Sequence, residues 1–298
     1  MKKATVFIKG GFGNQLFQLC LANYLKESGF KVKINTDLFK ELKLDTPREL
    51  VLPLNNFNLK EQNLLSKVKF NYFLKLNSSN TINKSVLKGF FSSYKFTKDT
   101  EDILNQNKND IFLNGYWKDM KYIESNKNWL ISSIKKNETI RDEWKSNLDN
   151  NLAMIHVRRG DFIKDNRELH VSYYDKSIKL LLQKNKNLKF DIFTDDQEWV
   201  QNQSVFNIAK NIFAQQAGKN TNKELPDIDG KDDVNETLVT FSKMLNYKHF
   251  IVGNSSFAFW PAFIRSDESS LVTVPQPWFR NNDHPTLHRT SWHIIENI

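Results

Sequence analysis

One run, NLAMIHVRRGDF over residues 151–162, constrains this chain more than any other. Residues 152–157 are short, apolar and partly β-branched, the signal of a buried strand. The run then breaks into Arg158, Arg159, Gly160 and Asp161. Two adjacent guanidiniums repel each other, and neither packs away without a counter-charge. Nearby acids can supply one, and Asp161 is at hand. An anionic ligand can supply it too, because the guanidinium fork matches phosphate oxygens in a way that lysine cannot copy. Open α/β sheets bind ligands at the carboxyl ends of their strands. The expectation is a phosphate or diphosphate site at Arg158 and Arg159. The adhesion-like tripeptide Arg159-Gly160-Asp161 is read as a chance match.

The rest of the chain supplies such a sheet. Residues 4–8 read as a first strand, running into the turn Lys9-Gly10-Gly11-Phe12-Gly13-Asn14-Gln15. Leu16, Leu19, Leu21, Tyr24 and Leu25 then recur at helical spacing, with Gly29 as a stop. The turn is neither a Walker loop nor G-x-G-x-x-G. Its glycines (Gly11 and Gly13 among them) could let backbone N–H groups approach a ligand, with Asn14 and Gln15 as side-chain donors. It could equally be a tight turn that happens to carry two amides. A second strand follows at 32–35 and another at 111–113, with Phe70, Tyr72 and Phe73 between them read as core. A helix holds Trp129, Ile131 and Ile134, and the polar stretch 137–151 reads as a domain junction.

The second half repeats the rhythm. After the 152–157 strand come a polar loop at 163–171, a helix at 173–182 and a strand at 190–193 that ends in Thr194-Asp195-Asp196. Thr194 or Asp195 would cap the helix from Gln197. A loop at 216–233 leads to a helix at 236–246 and a strand at 249–253. That strand opens into Asn254-Ser255-Ser256-Phe257, where hydroxyl side chains at a helix start suit helix capping or an anion. Residues 272–274 read as the last strand, before a tail with Trp278 and Trp292. A parallel sheet would gather Arg158/Arg159, Asp195/Asp196 and Ser255/Ser256 along one edge.

Composition narrows the partners. The 298 residues suffice for two medium α/β domains, and the net charge of +9 suits anionic partners. The lysines are scattered rather than clustered, which argues against nucleic acid. With Cys20 as the only cysteine, no intrachain disulfide or cysteine-based zinc cluster can form. No apolar run has the length of a membrane span, and residues 4–8 are too short for a signal-peptide core. The chain reads as cytoplasmic, with its basic charge suited to peripheral contact with an acidic inner membrane.

GGFGNQLFQ (residues 10–18), HVRRGDF (156–162), Tyr173-Tyr174, FTDD (193–196) and NSSFAFWPAF (254–263) together resemble bacterial members of glycosyltransferase family 11, the α-1,2-fucosyltransferases that use GDP-fucose. The resemblance implies an α/β fold of GT-B type, two Rossmann-like domains facing across a cleft. Residues 1–150 would form the acceptor-side domain and 151–298 the GDP-fucose-binding domain. It implies an inverting, metal-independent transfer of fucose to the 2-hydroxyl of a galactose-containing oligosaccharide, with a role in surface polysaccharide. Arg158 would contact the β-phosphate, with Arg159 assisting or bracing. His156 and one of Asp195 or Asp196 would face guanine or ribose. Asn254, Ser255 or Ser256 and the helix start would meet the phosphates, Phe257 would pack on the nucleotide, and Asn14 would sit near sugar or acceptor.

The last motif departs from the family, reading Ala258-Phe259-Trp260-Pro261 where something nearer S-W-W-A is expected. Pro261 is tolerable if it lies in the first helical turn. Asp161, Asp165, Glu168 and His170 are all candidates for the base that takes the acceptor proton, and Asp161 is also a candidate brace for the arginines. Two rivals stand beside this reading. One is a metal-dependent GT-A transferase, since Asp227-Ile228-Asp229 is a D-x-D, but that motif follows Pro226 in a polar loop rather than ending a strand. A GDP-sugar-binding protein without catalysis would carry the same motifs.

Overall fold

A computed structural model describes residues 1–41, 49–63, 94–97, 104, 110–214, 231–279 and 287–297. The Phe70–Tyr72–Phe73 cluster and the Asp227/Asp229 pair lie outside them. The chain divides into two compact units, Met1–Asn137 and Glu138–Ile298.

In the first unit, β1 (Lys3–Phe7) enters α1 (Phe12–Glu27) through the glycine turn, and β2 (Lys31–Asn35) follows, then the short α2 (Leu38–Glu41). The strands β3 (Tyr94–Thr97) and β4 (Asp110–Leu113) complete a parallel sheet in the order β2-β1-β4-β3. The short α3 (Met120–Ile123) and α4 (Lys127–Ile134) end the unit. Four of the five β1 residues are buried, as a strand covered on both faces requires. Gly10 takes φ +77°, the left-handed region open to glycine, and Gly29 ends α1 in the same way at φ +86°.

The second unit begins with α5 (Glu138–Glu143), which packs on the later helix α9. The Asn246 side chain donates to the Glu143 carbonyl and accepts from the Lys145 amide. These contacts carry residues 138–150 with the second unit, so the division falls at the start of the polar 137–151 stretch rather than at 150. Then come β5 (Leu152–Val157), α6 (Gly160–Lys164), α7 (Val171–Lys184), β6 (Lys189–Thr194), α8 (Gln197–Gln201) and β7 (Ala209–Ala214). After them come α9 (Lys231–Met244), β8 (His249–Ile251), α10 (Ser256–Arg265), β9 (Val272–Gln276) and β10 (His293–Glu296).

All pairs in this second sheet are parallel, in the order β10-β9-β8-β5-β6-β7. The chain builds outward from β5 to β7, returns to β8 beside β5, and builds outward the other way. This is the doubly wound Rossmann order, with its switch point between β5 and β8. Ala153, Ile155 and Val157 of β5 pack with Tyr173, Tyr174, Ile178 and Leu181 of α7, while α10 buries Phe259, Trp260 and Phe263. Each buried Val, Ile, Leu or Phe among them contributes roughly 1.5–3 kcal/mol on burial.

Three readings from sequence change. Residues 272–274 are not the last strand, because β10 pairs outside β9. Pro261 lies in the second turn of α10, not the first, where its missing N–H leaves the Phe257 carbonyl without its helical donor. The cap of α8 is Asp196, whose Oδ1 accepts from the Trp199 amide at 3.1 Å, rather than Thr194 or Asp195.

Candidate functional site at the end of β5

Beyond Val157 the backbone turns sharply into α6, and both arginines meet carboxylates. Arg158 donates from Nε (3.0 Å) and Nη2 (2.7 Å) to Asp161 Oδ1, and its Nη1 lies 3.0 Å from Asp195 Oδ2. The Arg159 amide donates to Asp195 Oδ1 at 2.8 Å, and its Nε donates to Asp196 Oδ2 at 3.1 Å. The Arg159 guanidinium also lies 4.0 Å over the Trp199 ring, a cation–π contact that steadies it further.

Every residue of the Arg-Arg-Gly-Asp turn therefore has a geometric task. A Cβ on Gly160 would stand 2.7 Å from Asp195 Oδ2, so glycine is what lets that carboxylate approach. The Thr194 hydroxyl accepts from the Asp196 amide at 3.0 Å and shapes the opposing turn.

Asp195 and Asp196, one of which is expected to face guanine or ribose, differ in access. The Asp195 side chain is 2% exposed and committed to the turn, whereas that of Asp196 is 28% exposed. Asp195 thus sits beneath the arginines.

Across the switch point, Gly253 lies against His156: a Cβ there would be 2.7 Å from the His156 carbonyl oxygen and 2.8 Å from Nδ1. His156 is buried, and burial, aided by the Arg158 charge, lowers it from 6.5 to about 3. It is a neutral imidazole at any ordinary pH, with a buried Nδ1 that has no hydrogen-bond partner. Asn254 is also buried; its Nδ2 donates to the Arg167 carbonyl, while its Oδ1 is unpartnered. Ser255 caps α10, its Oγ accepting from the Phe257 amide at 3.2 Å, and Ser256 opens the helix. The Phe257 ring lies 5.6 Å from that of Phe241. The Tyr173 hydroxyl ties α7 to this end of the sheet by donating to the Val252 carbonyl at 2.6 Å.

The loop between α6 and α7 supplies residues that sequence did not rank. Arg167 pairs with Asp165 and lies over the Phe162 ring at 4.6 Å. His170 caps α7 through Nδ1, which accepts from the Ser172 amide. Of the four candidate bases, Asp161, Asp165 and His170 are thus engaged locally, while Glu168 has a buried Oε2 without a hydrogen-bond partner. Glu168 lines an open pocket of about 260 Å³ with Arg159, His170, Trp199 and Gln203.

In the first unit, Gly11 is the N-cap residue of α1, without a side-chain cap, and Gly13 and Asn14 fall in its first turn. A Cβ on Gly11 would meet nothing within 4 Å, and Asn14 Oδ1 is buried without a partner. Gln15 is no ligand donor: its amide donates to the carbonyls of Gly10 and Glu49 and accepts from the Val51 amide. Gln18 likewise links the ends of β1 and β4, accepting from the Lys9 amide and donating to the Gly115 carbonyl.

The chain thus carries two parallel-sheet α/β units, the second with cationic side chains braced at a Rossmann switch point. The profile of glycosyl transferase family 11 matches residues 3–296, and the chain belongs to that family. It is 25% identical to the O-antigen biosynthesis glycosyltransferase WbnK of Escherichia coli, over 96% of this chain and 98% of that protein. To an Escherichia coli alpha-1,2-colitosyltransferase it is 26% identical, over 93% and 92%. Among solved structures, the fucosyltransferase NodZ from Bradyrhizobium matches with a TM-score of 0.46 and 12% identity, over 88% of this chain and 92% of that one.

Proposed function

We propose that this glycosyltransferase moves L-fucose from GDP-β-L-fucose to the 2-hydroxyl of a β-galactoside, with inversion, in building a surface polysaccharide. The observation that carries the reading is Arg158, held at the switch point with its guanidinium gripped on two sides. As the anomeric bond breaks, negative charge grows on the departing GDP. A preoriented guanidinium stabilises that charge more than it stabilises bound substrate, so it raises turnover. Asp161, 56% exposed, is the partner that a phosphate can replace at Arg158. Arg159, His156, Asp196, Asn254, Ser255, Ser256 and Phe257 make up the rest of the donor side. Gly11 and Gly13 are read as donor contacts, and Asn14 as a contact to sugar or acceptor. The acceptor proton goes to a base in the α6–α7 loop, and Glu168 fits best because one of its oxygens is uncommitted.

The reaction is expected to need no metal. Among the described residues, no three His, Cys, Asp or Glu side chains cluster to hold one, and no helix is long and apolar enough to cross a membrane. We place the enzyme in the cytoplasm, its basic charge suited to the inner membrane surface. The relative named as an alpha-1,2-colitosyltransferase favours a second reading, the same linkage made with colitose.

The test is GDP release from GDP-fucose and from GDP-colitose against a panel of β-galactosides, with and without EDTA, and NMR assignment of the product linkage. An α-1,2-fucoside formed in EDTA is the expected product. GDP binding without transfer to any acceptor would leave a non-catalytic GDP-sugar-binding protein. A different linkage would reassign the acceptor.

A further inference from the structure

We propose that Asp195 is the positioning residue for the transfer: its buried carboxylate aims the Arg158 guanidinium at the departing diphosphate. This rests on the reading of Arg158 given above. One carboxylate touches three consecutive residues. Oδ2 lies 3.0 Å from Arg158 Nη1, Oδ1 accepts the Arg159 amide at 2.8 Å, and a Cβ on Gly160 would come within 2.7 Å of Oδ2. The backbone bond fixes the carboxylate to the turn, and the ion pair fixes the guanidinium to the carboxylate. Guanidinium direction is thereby coupled to the end of β6.

The two carboxylates on Arg158 are unequal. Asp161 occupies the Nε–Nη2 edge but is 56% exposed, on a helix of five residues. Asp195 is 2% exposed beneath the turn. An incoming phosphate can take the place of Asp161 while Asp195 stays. Arginine has five N–H donors, so a guanidinium held by Asp195 alone still offers a fork to phosphate. Without Asp195 a long, rotamer-rich side chain would have to be ordered anew in each turnover, a cost paid in rate.

The experiment is a double-mutant cycle on the full chain with Asp195→Asn, Arg158→Ala and both together, following fucose transfer from GDP-fucose, GDP affinity and thermal melting. Asparagine keeps an oxygen for the Arg159 amide and removes the charge facing Arg158. The expected result is a kcat lowered by about ten- to a hundredfold, with GDP affinity changed by less than about threefold. In the Arg158→Ala background the same substitution should cost less than about twofold, since its effect runs through Arg158. Independent losses that multiply would overturn the proposal. Wild-type turnover in Arg158→Ala alone would overturn the reading of Arg158 itself, a distinct outcome. Should Asp195→Asn fail to fold, Gly160→Ala serves instead. It pushes a methyl onto Oδ2 from an exposed position without altering charge, and wild-type kcat in that folded variant would also sink the proposal.

Discussion

Gly253 and His156 sit side by side on β8's extension and β5, so closely that the backbone carbonyl of one occupies the space of a side chain on the other. Both flank the switch point, where the sheet is packed on both faces and neither strand can step aside. Gly253→Ala should therefore destabilise the second unit by about 1–3 kcal/mol, the usual cost of overpacking. Urea denaturation checks it. An unchanged midpoint would mean that the two strands can part without cost.

The His156 imidazole makes stability depend on pH in a definite direction. Burial holds it neutral in the fold down to about pH 3, while the unfolded chain takes a proton near 6.5. Above about pH 6.5 neither state is protonated and nothing changes. Below it the unfolded chain gains the proton first, so stability falls as pH drops toward 3, by at most about 1.4 kcal/mol per pH unit for one proton. His249, also lowered by burial, adds in the same sense. Urea midpoints between about pH 7 and 5, above the range of ordinary carboxylates, should fall in the native protein and fall less in His156→Gln. Parallel slopes would show that His156 is not the group responsible.

What could be read in the chain beforehand follows from where the signal is local. β1, β5, β6 and α1 are buried over most of their length, and their apolar positions stand out in sequence. β7 and β10 are edge strands carrying Lys210, Asn211, His293 and Glu296, so they lack that signature. The five-residue α6 is too short to show a period. At the site, the motif residues Arg158, Arg159, Asp161, Asp195 and Asp196 come together in one cluster. Their pairing was hidden, because which aspartate meets which arginine depends on the turn at the end of β6. The roles of Trp199, Gly160 and Gly253 likewise depend on neighbours far away in sequence: Arg159, Asp195 and His156 respectively.

Lysine at 158 separates charge from shape. Arg158→Lys retains a cation but cannot face Asp161 and Asp195 along two edges at once, as the guanidinium does. Turnover with GDP-fucose should fall by about a hundredfold while GDP still binds. Steady-state kinetics and calorimetric GDP titration read the two separately. Near-native turnover would show that a point charge suffices and that the braced fork is not what catalysis uses.

Ser255 tests whether the start of α10 carries phosphate or only caps a helix. Its Oγ accepts the Phe257 amide, and losing that cap in Ser255→Ala should cost about 0.5–2 kcal/mol whatever the helix does in function. Aspartate is also a strong cap, and its charge suits a helix N-terminus, so Ser255→Asp should be at least as stable as the native protein. If a diphosphate approaches this helix end, the same carboxylate repels it, and GDP affinity should drop by about tenfold or more in a fully folded variant. Thermal melting and GDP titration of the pair therefore move in opposite directions, stability kept and binding lost. Native-like GDP affinity in Ser255→Asp would take the phosphates away from α10 and leave Arg158 as the group that holds them.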